Sequence, residues 1–110
     1  MSHRIVHFDI TGPDETAQQR FYADVFGWTV DAKGPGYALV GTPSGGPDGA
    51  LVEADSPTVT LGVGVSDLAE AVRRAVTAGG SVRMPPTDNG WVVKAQVCDP
   101  AGNVLTLIQE

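Results

Sequence analysis

A chain of 110 residues with 42% hydrophobic and 18% charged content is long enough to bury one core and too short for two. Its net charge of −6 and pI near 4.6, with no lysine and arginine cluster to offset them, argue against nucleic acid as a partner. No run approaches the ~20 apolar residues of a membrane span, no apolar segment follows Met1-Ser2-His3-Arg4, and Cys98 is the only cysteine, so the expectation is a soluble cytoplasmic protein with no membrane partner and no internal disulfide.

Residues 5 to 10 place Val6, Phe8 and Ile10 on one face and Ile5, His7 and Asp9 on the other, the alternation of a strand with unlike faces. Gly12-Pro13-Asp14 breaks that strand and offers Asp14 as the N-cap of a helix running to about Phe26 and closed by Gly27. Trp28 to Val30 and Tyr37 to Val40, separated by Lys33-Gly34-Pro35-Gly36, read as a hairpin. The Gly/Pro-rich loop from Thr42 to Gly49 then leads into a short strand over Ala50 to Glu53.

From Thr58 the order recurs. A strand alternating Val59, Leu61, Val63 and Val65 with Thr and Gly precedes Asp67, which with Glu70 has the spacing of a capping box. Leu68, Ala71, Val72, Ala75 and Val76 form a helical stripe that Gly79-Gly80 ends. Strands are predicted over Ser81 to Met84, Trp91 to Cys98 and Val104 to Gln109, the last two joined by the tight turn Asp99-Pro100-Ala101-Gly102-Asn103.

Asp14 and Asp67 lie 53 residues apart, as do Gly27 and Gly80, and on that offset His7 falls on Thr60 and Glu53 on Thr106. The spacing predicts duplication of one supersecondary unit. The fold expected is α+β, with two βαβββ units, at about residues 4–53 and 58–109 of one domain, whose cupped mixed sheets surround a small-molecule cavity, each with a helix on its outer face.

The stretch Arg20-Phe21-Tyr22-Ala23-Asp24-Val25-Phe26-Gly27-Trp28, Val65-Ser66-Asp67-Leu68 before the second helix, Gly79-Gly80 after it and Asp99-Pro100-Ala101-Gly102-Asn103 before the last strand together resemble the vicinal oxygen chelate superfamily. That superfamily includes glyoxalase I, extradiol dioxygenases, fosfomycin-resistance enzymes and bleomycin-binding proteins. In its metal-dependent members, the resemblance implies, ligands come from the first and last strands of each unit. The positions here are His7 and Glu53 in the first unit and Thr60 and Thr106 in the second. An imidazole and a carboxylate suit a divalent ion such as Ni, Zn, Mn or Fe, whereas threonine is a weak neutral donor and a catalytic ion normally holds three protein ligands. The expectation is therefore no resident cofactor, with a divalent metal as the alternative. The resemblance also implies a homodimer.

Three roles stand open for His7 and Glu53: part of a metal site, an acid–base pair in which Glu53 orients His7 as a proton acceptor, or polar wall groups of a binding cavity. Asp9, Thr60 and Thr106 are candidate ligand-binding residues, and Trp28, Tyr37 and Trp91 are candidate aromatic walls. The function expected is a glyoxalase/bleomycin-resistance-like small-molecule binding protein without a complete metal site. The alternative is an enzyme of the same superfamily, a lyase or isomerase, with His7 and Glu53 as its working pair.

Overall fold

The computed structural model describes residues 3–43 and 45–110. The chain divides into two compact units, one over residues 7–59 and the other over residues 60–110 together with the leading residues up to Val6. Each repeats the same order of elements. The first runs β1 (Ile5–Gly12), α1 (Glu15–Phe26), β2 (Thr29–Gly34), β3 (Tyr37–Gly41) and β4 (Asp48–Glu53). The second runs β5 (Thr58–Val65), α2 (Leu68–Thr77), β6 (Ser81–Asp88), β7 (Val93–Cys98) and β8 (Val104–Gln109). The α+β class and the two βαβββ units expected from sequence are present.

In the first unit the strands lie in the order β2-β3-β4-β1, with β1 and β4 parallel and the other pairs antiparallel. Side-chain direction alternates along each strand, and cross-strand partners share a face. Phe8, Ile10, Ala38, Val40, Gly49 and Leu51 therefore face α1, and Ala38, Val40 and Leu51 are almost wholly buried there. An aromatic cluster seals this side. Trp28 stacks on Tyr22 of α1 at 5.5 Å, and its ring centroid lies 5.6 Å from Phe8 and 5.2 Å from Phe26. The opposite face, free of any helix of this unit, carries His7, Asp9, Asp31, Tyr37, Leu39, Asp48 and Ala50.

The second unit has the order β5-β8-β7-β6 with the same mixture of parallel and antiparallel pairs. Its core is Val65, Leu68, Ala95, Val97 and Leu107, with Ala71, Val72 and Ala75 of α2 packed on it. Gly64 donates its N–H to the carbonyl of Arg4 at 2.8 Å, which ties the leading residues to this unit.

The helix caps follow the sequence closely. Asp14 Oδ1 accepts from the N–H of Ala17 at 3.2 Å, and Gly27 closes α1 in the left-handed region at φ 70°. Asp67 Oδ1 accepts from Glu70 N–H at 3.1 Å. The reciprocal half of the capping box is absent, because the Glu70 carboxylate instead pairs with Arg73 and, at 3.2 Å, Arg74. Those guanidinium groups hold the Glu70 carboxyl below the usual range. In the turn 99–103, Asp99 Oδ1 accepts from the N–H groups of Ala101 and Asn103 at 3.0 and 2.8 Å.

Several strand boundaries differ from the sequence reading, among them β1 running on to Gly12, β2 to Gly34 and β4 starting at Asp48, and two in the second unit have a visible cause. β6 continues to Asp88 through Pro85 and Pro86, where a pattern reader expects a break. Within its unit β6 is the outermost strand and pairs only with β7, with register shifts at the prolines, so residues without an N–H cost the ladder little. β7 begins at Val93 rather than Trp91, since Asn89 Oδ1 accepts from the N–H groups of both Trp91 and Val92, each at 2.9 Å, and makes residues 89–92 a turn.

Candidate functional site

The helix-free face of the first unit holds an open pocket of about 280 Å³ lined by His7, Thr29, Asp31, Leu39, Val40, Gly41, Asp48 and Gly49. Three strands and the start of a fourth build it. His7 comes from β1, Thr29 and Asp31 from β2, Leu39 and Gly41 from β3, and Asp48 from the first position of β4, where it is the cross-strand partner of His7. Leu39 supplies an apolar floor that is 37% exposed. Of the eight lining residues only His7 was singled out by sequence. Asp31 and Asp48 were missed because the first was placed beyond the predicted end of β2 and the second inside a predicted loop.

His7 and Asp9, two apart on one strand, share this face. The ring N–H at Nε2 of His7 donates to Asp9 Oδ1 at 3.1 Å. The loop from Thr42 to Gly49 is tied down at its ends: Thr42 N–H donates to Asp48 Oδ1 at 3.1 Å, and Thr42 Oγ1 donates to the Pro47 carbonyl at 2.7 Å. Ser44, inside the loop, lies outside the described residues.

The structure does not bring His7 and Glu53 together. The parallel register pairs His7 with Asp48 and Gly12 with Glu53, so the two side chains stand five residues apart along the strands, roughly 16 Å at the rise of a β-strand. The expected correspondence of Glu53 with Thr106 also fails. β1 and β5 begin at Ile5 and Thr58, on the 53-residue offset, but β4 and β8 begin at Asp48 and Val104, an offset of 56. The longer β6 and the turn 89–92 take up the difference. By register Asp9 pairs with Ala50 and Gly62 with Thr106, while Gly12 pairs with Glu53 and Val65 with Gln109. Glu53 is the counterpart of Gln109, and Thr106 is the counterpart of Ala50.

That correspondence explains what Glu53 does. Its Oε1 accepts from the backbone N–H of Glu15, the first residue of α1, at 3.1 Å, and Gln109 Oε1 accepts from the N–H of Leu68, the first residue of α2, at 2.9 Å. Each satisfies an otherwise unpaired amide at a helix start. Because the amide oxygen of Gln109 makes the same contact as a carboxylate, Glu53→Gln is expected to leave stability within about 0.5 kcal/mol of the parent, whereas Glu53→Ala costs about 1 kcal/mol in urea unfolding. A large loss in Glu53→Gln would show that the charge, not the hydrogen bond, matters.

Beside Glu53 lies a buried carboxyl. Glu15 is 5% exposed. Burial pushes its pKa up, a hydrogen bond from Gln19 opposes this, and the charge of Glu53 adds to the rise. A carboxyl with a raised folded pKa contributes stability that is fully present below its unfolded value near 4.5 and is lost as pH climbs through the folded value. Glu15→Gln is therefore expected to be the more stable protein at pH 7, with its advantage shrinking as the pH falls toward 4.5. Urea midpoints between pH 4 and 8 check the convergence.

None of the other predicted site residues is among those that line the pocket. Trp28 packs in the aromatic cluster on the helix side. Tyr37 shares the pocket face but sits at the opposite end of β3 from Gly41, opposite Val52. Trp91 is 92% exposed in its turn. In the second unit Thr106 is buried, and its hydroxyl accepts from Gln96 Nε2 at 3.2 Å. Thr60 lies on β5, at the counterpart of His7.

The donor set can be weighed against a divalent ion. Of the implied positions His7, Glu53, Thr60 and Thr106, the register gives Glu53 the counterpart Gln109; with Thr106 taken as the reference, its first-unit counterpart is Ala50, and the set becomes His7, Ala50, Thr60 and Thr106. One imidazole, one methyl group and two hydroxyls do not meet the usual demand for three strong protein ligands. Among the described residues no group of three or more His, Cys, Asp or Glu side chains gathers to hold an ion. Nor is any described helix long and apolar enough to cross a membrane.

Comparison with known proteins places this geometry. The profile of the glyoxalase-like domain matches residues 5–108. No curated protein sequence matches the chain. Among solved structures, methylmalonyl-CoA epimerase from Mycobacterium tuberculosis superposes with a TM-score of 0.74 at 19% identity, over 96% of this chain and 86% of that one. A glyoxalase/bleomycin resistance protein/dioxygenase superfamily member from Vibrio splendidus 12B01 gives 0.76 at 19% identity over 99% and 100%. The Mn(II)-bound glyoxalase from Novosphingobium aromaticivorans gives 0.77 at 20% identity, over 99% of this chain and 40% of that one. At such identities these likenesses establish a shared fold, the one the sequence resemblance implied.

Proposed function

Since the chain belongs to the glyoxalase-like domain family, we propose that it is a small-molecule binding protein that takes its ligand on the helix-free face of the first unit. The observation that carries this reading is the pocket beside His7, about 280 Å³ with an apolar floor at Leu39 and a few convergent polar groups, the composition of an ordinary ligand site. The reading assigns no resident metal, in keeping with the donor set. It predicts that some metabolite raises the melting temperature, because a ligand that prefers the folded state stabilises it, and that Leu39→Trp, which fills the pocket, removes that shift. A metabolite screen without a single shift would count against it. So would stoichiometric Ni²⁺, Zn²⁺ or Mn²⁺ binding by protein purified without a metal-chelating tag.

One observation favours a second reading, an enzyme of lyase or isomerase type. With Nε2 engaged by Asp9 at 3.1 Å, the other ring nitrogen of His7 is the natural proton acceptor for a bound substrate. Asp9 takes the orienting role first assigned to Glu53. Turnover that survives His7→Ala unchanged would remove this reading and leave the first. Pairing of two copies belongs to the same proposal, since it covers open strand edges. Light scattering distinguishes a dimer from a single chain of 11.4 kDa.

A further inference from the structure

The pocket's polar atoms divide unevenly between donors and acceptors. Asp9 accepts the Nε2 proton of His7 at 3.1 Å, so in the neutral ring Nδ1 carries a lone pair and no proton. The Thr29 hydroxyl has the Gly41 carbonyl as an acceptor at 3.5 Å and can also accept from a ligand. Asp31 engages Lys33 through Oδ2 at 2.8 Å, and Asp48 engages the Thr42 amide through Oδ1, which among the described residues leaves the second oxygen of each carboxylate for a ligand. The remaining lining residues, Leu39, Val40, Gly41 and Gly49, add no side-chain donor, and no lysine or arginine lines the pocket among the described residues.

We propose that this site selects ligands that present a hydrogen-bond-donating cationic group, a primary ammonium on a short apolar body, and rejects those that present an anion. The selection rests on the reading of the pocket as the ligand site and goes beyond it by fixing the ligand's polarity. The apolar body lies along Leu39 while the ammonium meets the free oxygens of Asp31 and Asp48 and Nδ1 of His7. Charge-assisted hydrogen bonds of this kind are the stronger ones. A carboxylate in the same place meets two carboxylates and the Nδ1 lone pair, with only the Thr29 hydroxyl among the lining side chains to donate to it, an arrangement that polar sites discriminate against strongly.

The test uses two fragments with the same tail and opposite heads, n-butylammonium and butyrate, added separately to the ¹⁵N-labelled full chain at matched ionic strength. The expected result is that butylammonium moves the amide signals of Leu39, Gly41, Asp48 and Gly49 while butyrate does not. Asp31→Asn is expected to reduce the butylammonium response several-fold, and its unchanged spectrum elsewhere verifies that the variant is folded. Imidazole ¹⁵N shifts of His7 in its neutral form should report the proton on Nε2 in the parent and a loss of that preference in Asp9→Ala. An equal response to both fragments, a response to butyrate alone, or none to either overturns the proposal. Butyrate binding would do so while leaving the pocket as the ligand site, whereas silence toward both fragments together with an empty metabolite screen would sink both.

Discussion

Gly80→Ala is expected to destabilise the protein by about 3 kcal/mol, the upper part of the range for overpacking, and to lower Tm by roughly 10–20 °C for a chain of this size. A methyl group at Gly80 would collide with the carbonyl oxygen of Cys98 and lie 3.0 Å from that of Ala75. Both obstacles are backbone, and neither is free to move. The Ala75 carbonyl is already the acceptor for the Gly80 N–H at 2.8 Å, closing the end of α2. The Cys98 carbonyl belongs to β7, one residue before the turn that leads into β8. Room for the methyl therefore requires separating the helix end from the sheet, which forfeits contacts of the Val65, Leu68, Ala95, Val97 and Leu107 core. Gly64→Ala is the control. There the nearest atoms belong to the carboxyl end of the Glu110 side chain, which can swing away, and the expected cost is below about 1 kcal/mol. Equal urea midpoints for the two variants would contradict this account.

Cap residues and helix-ending glycines such as Asp14, Asp67, Gly27 and Gly80 were legible because their signals are local. A side-chain acceptor at a helix start and a glycine at its end depend on a few neighbours. The strand faces were legible for the same reason, and the alternation of His7 and Asp9 against Phe8 and Ile10 correctly separated pocket side from helix side. What failed was long-range register. A single offset of 53 carried Glu53 onto Thr106, and nothing in the sequence announces that Pro85 and Pro86 sit inside a strand or that residues 89–92 lengthen the turn. With that slip of three residues the counterpart of Thr106 is Ala50, and Glu53 stands at the opposite end of β4 from Asp48, the cross-strand partner of His7. The side chain that pairs with the His7 ring, Asp9, was visible as a polar neighbour two positions away but was read as a separate ligand contact. Asp31 and Asp48 were hidden for a related reason, since strand boundaries are set by cross-strand hydrogen bonds that lie far apart in sequence.

Gly49→Ala carries the other large effect, about 2 kcal/mol, and it tests whether the two faces of the first sheet act separately. A methyl group at Gly49 would run into the Phe8 ring, with Cζ at 2.6 Å and the neighbouring ring carbons nearer still. Phe8 has little freedom to yield because Trp28 packs 5.6 Å away and is itself stacked on Tyr22. The strain is thus lodged between sheet and helix. Shortening the obstacle should relieve it, so Phe8→Leu combined with Gly49→Ala is expected to lose less than the sum of the single variants, the mark of a direct contact in a double-mutant cycle. His7, Asp31 and Asp48 project from the other side of the same strands. Gly49 lines the pocket through its backbone alone, and its added methyl points toward Phe8 on the helix side, so at a temperature where Gly49→Ala remains folded the butylammonium response at Leu39 and Asp48 should persist while the unfolding midpoint falls. Loss of both together would mean that the aromatic cluster behind the sheet shapes the pocket in front of it.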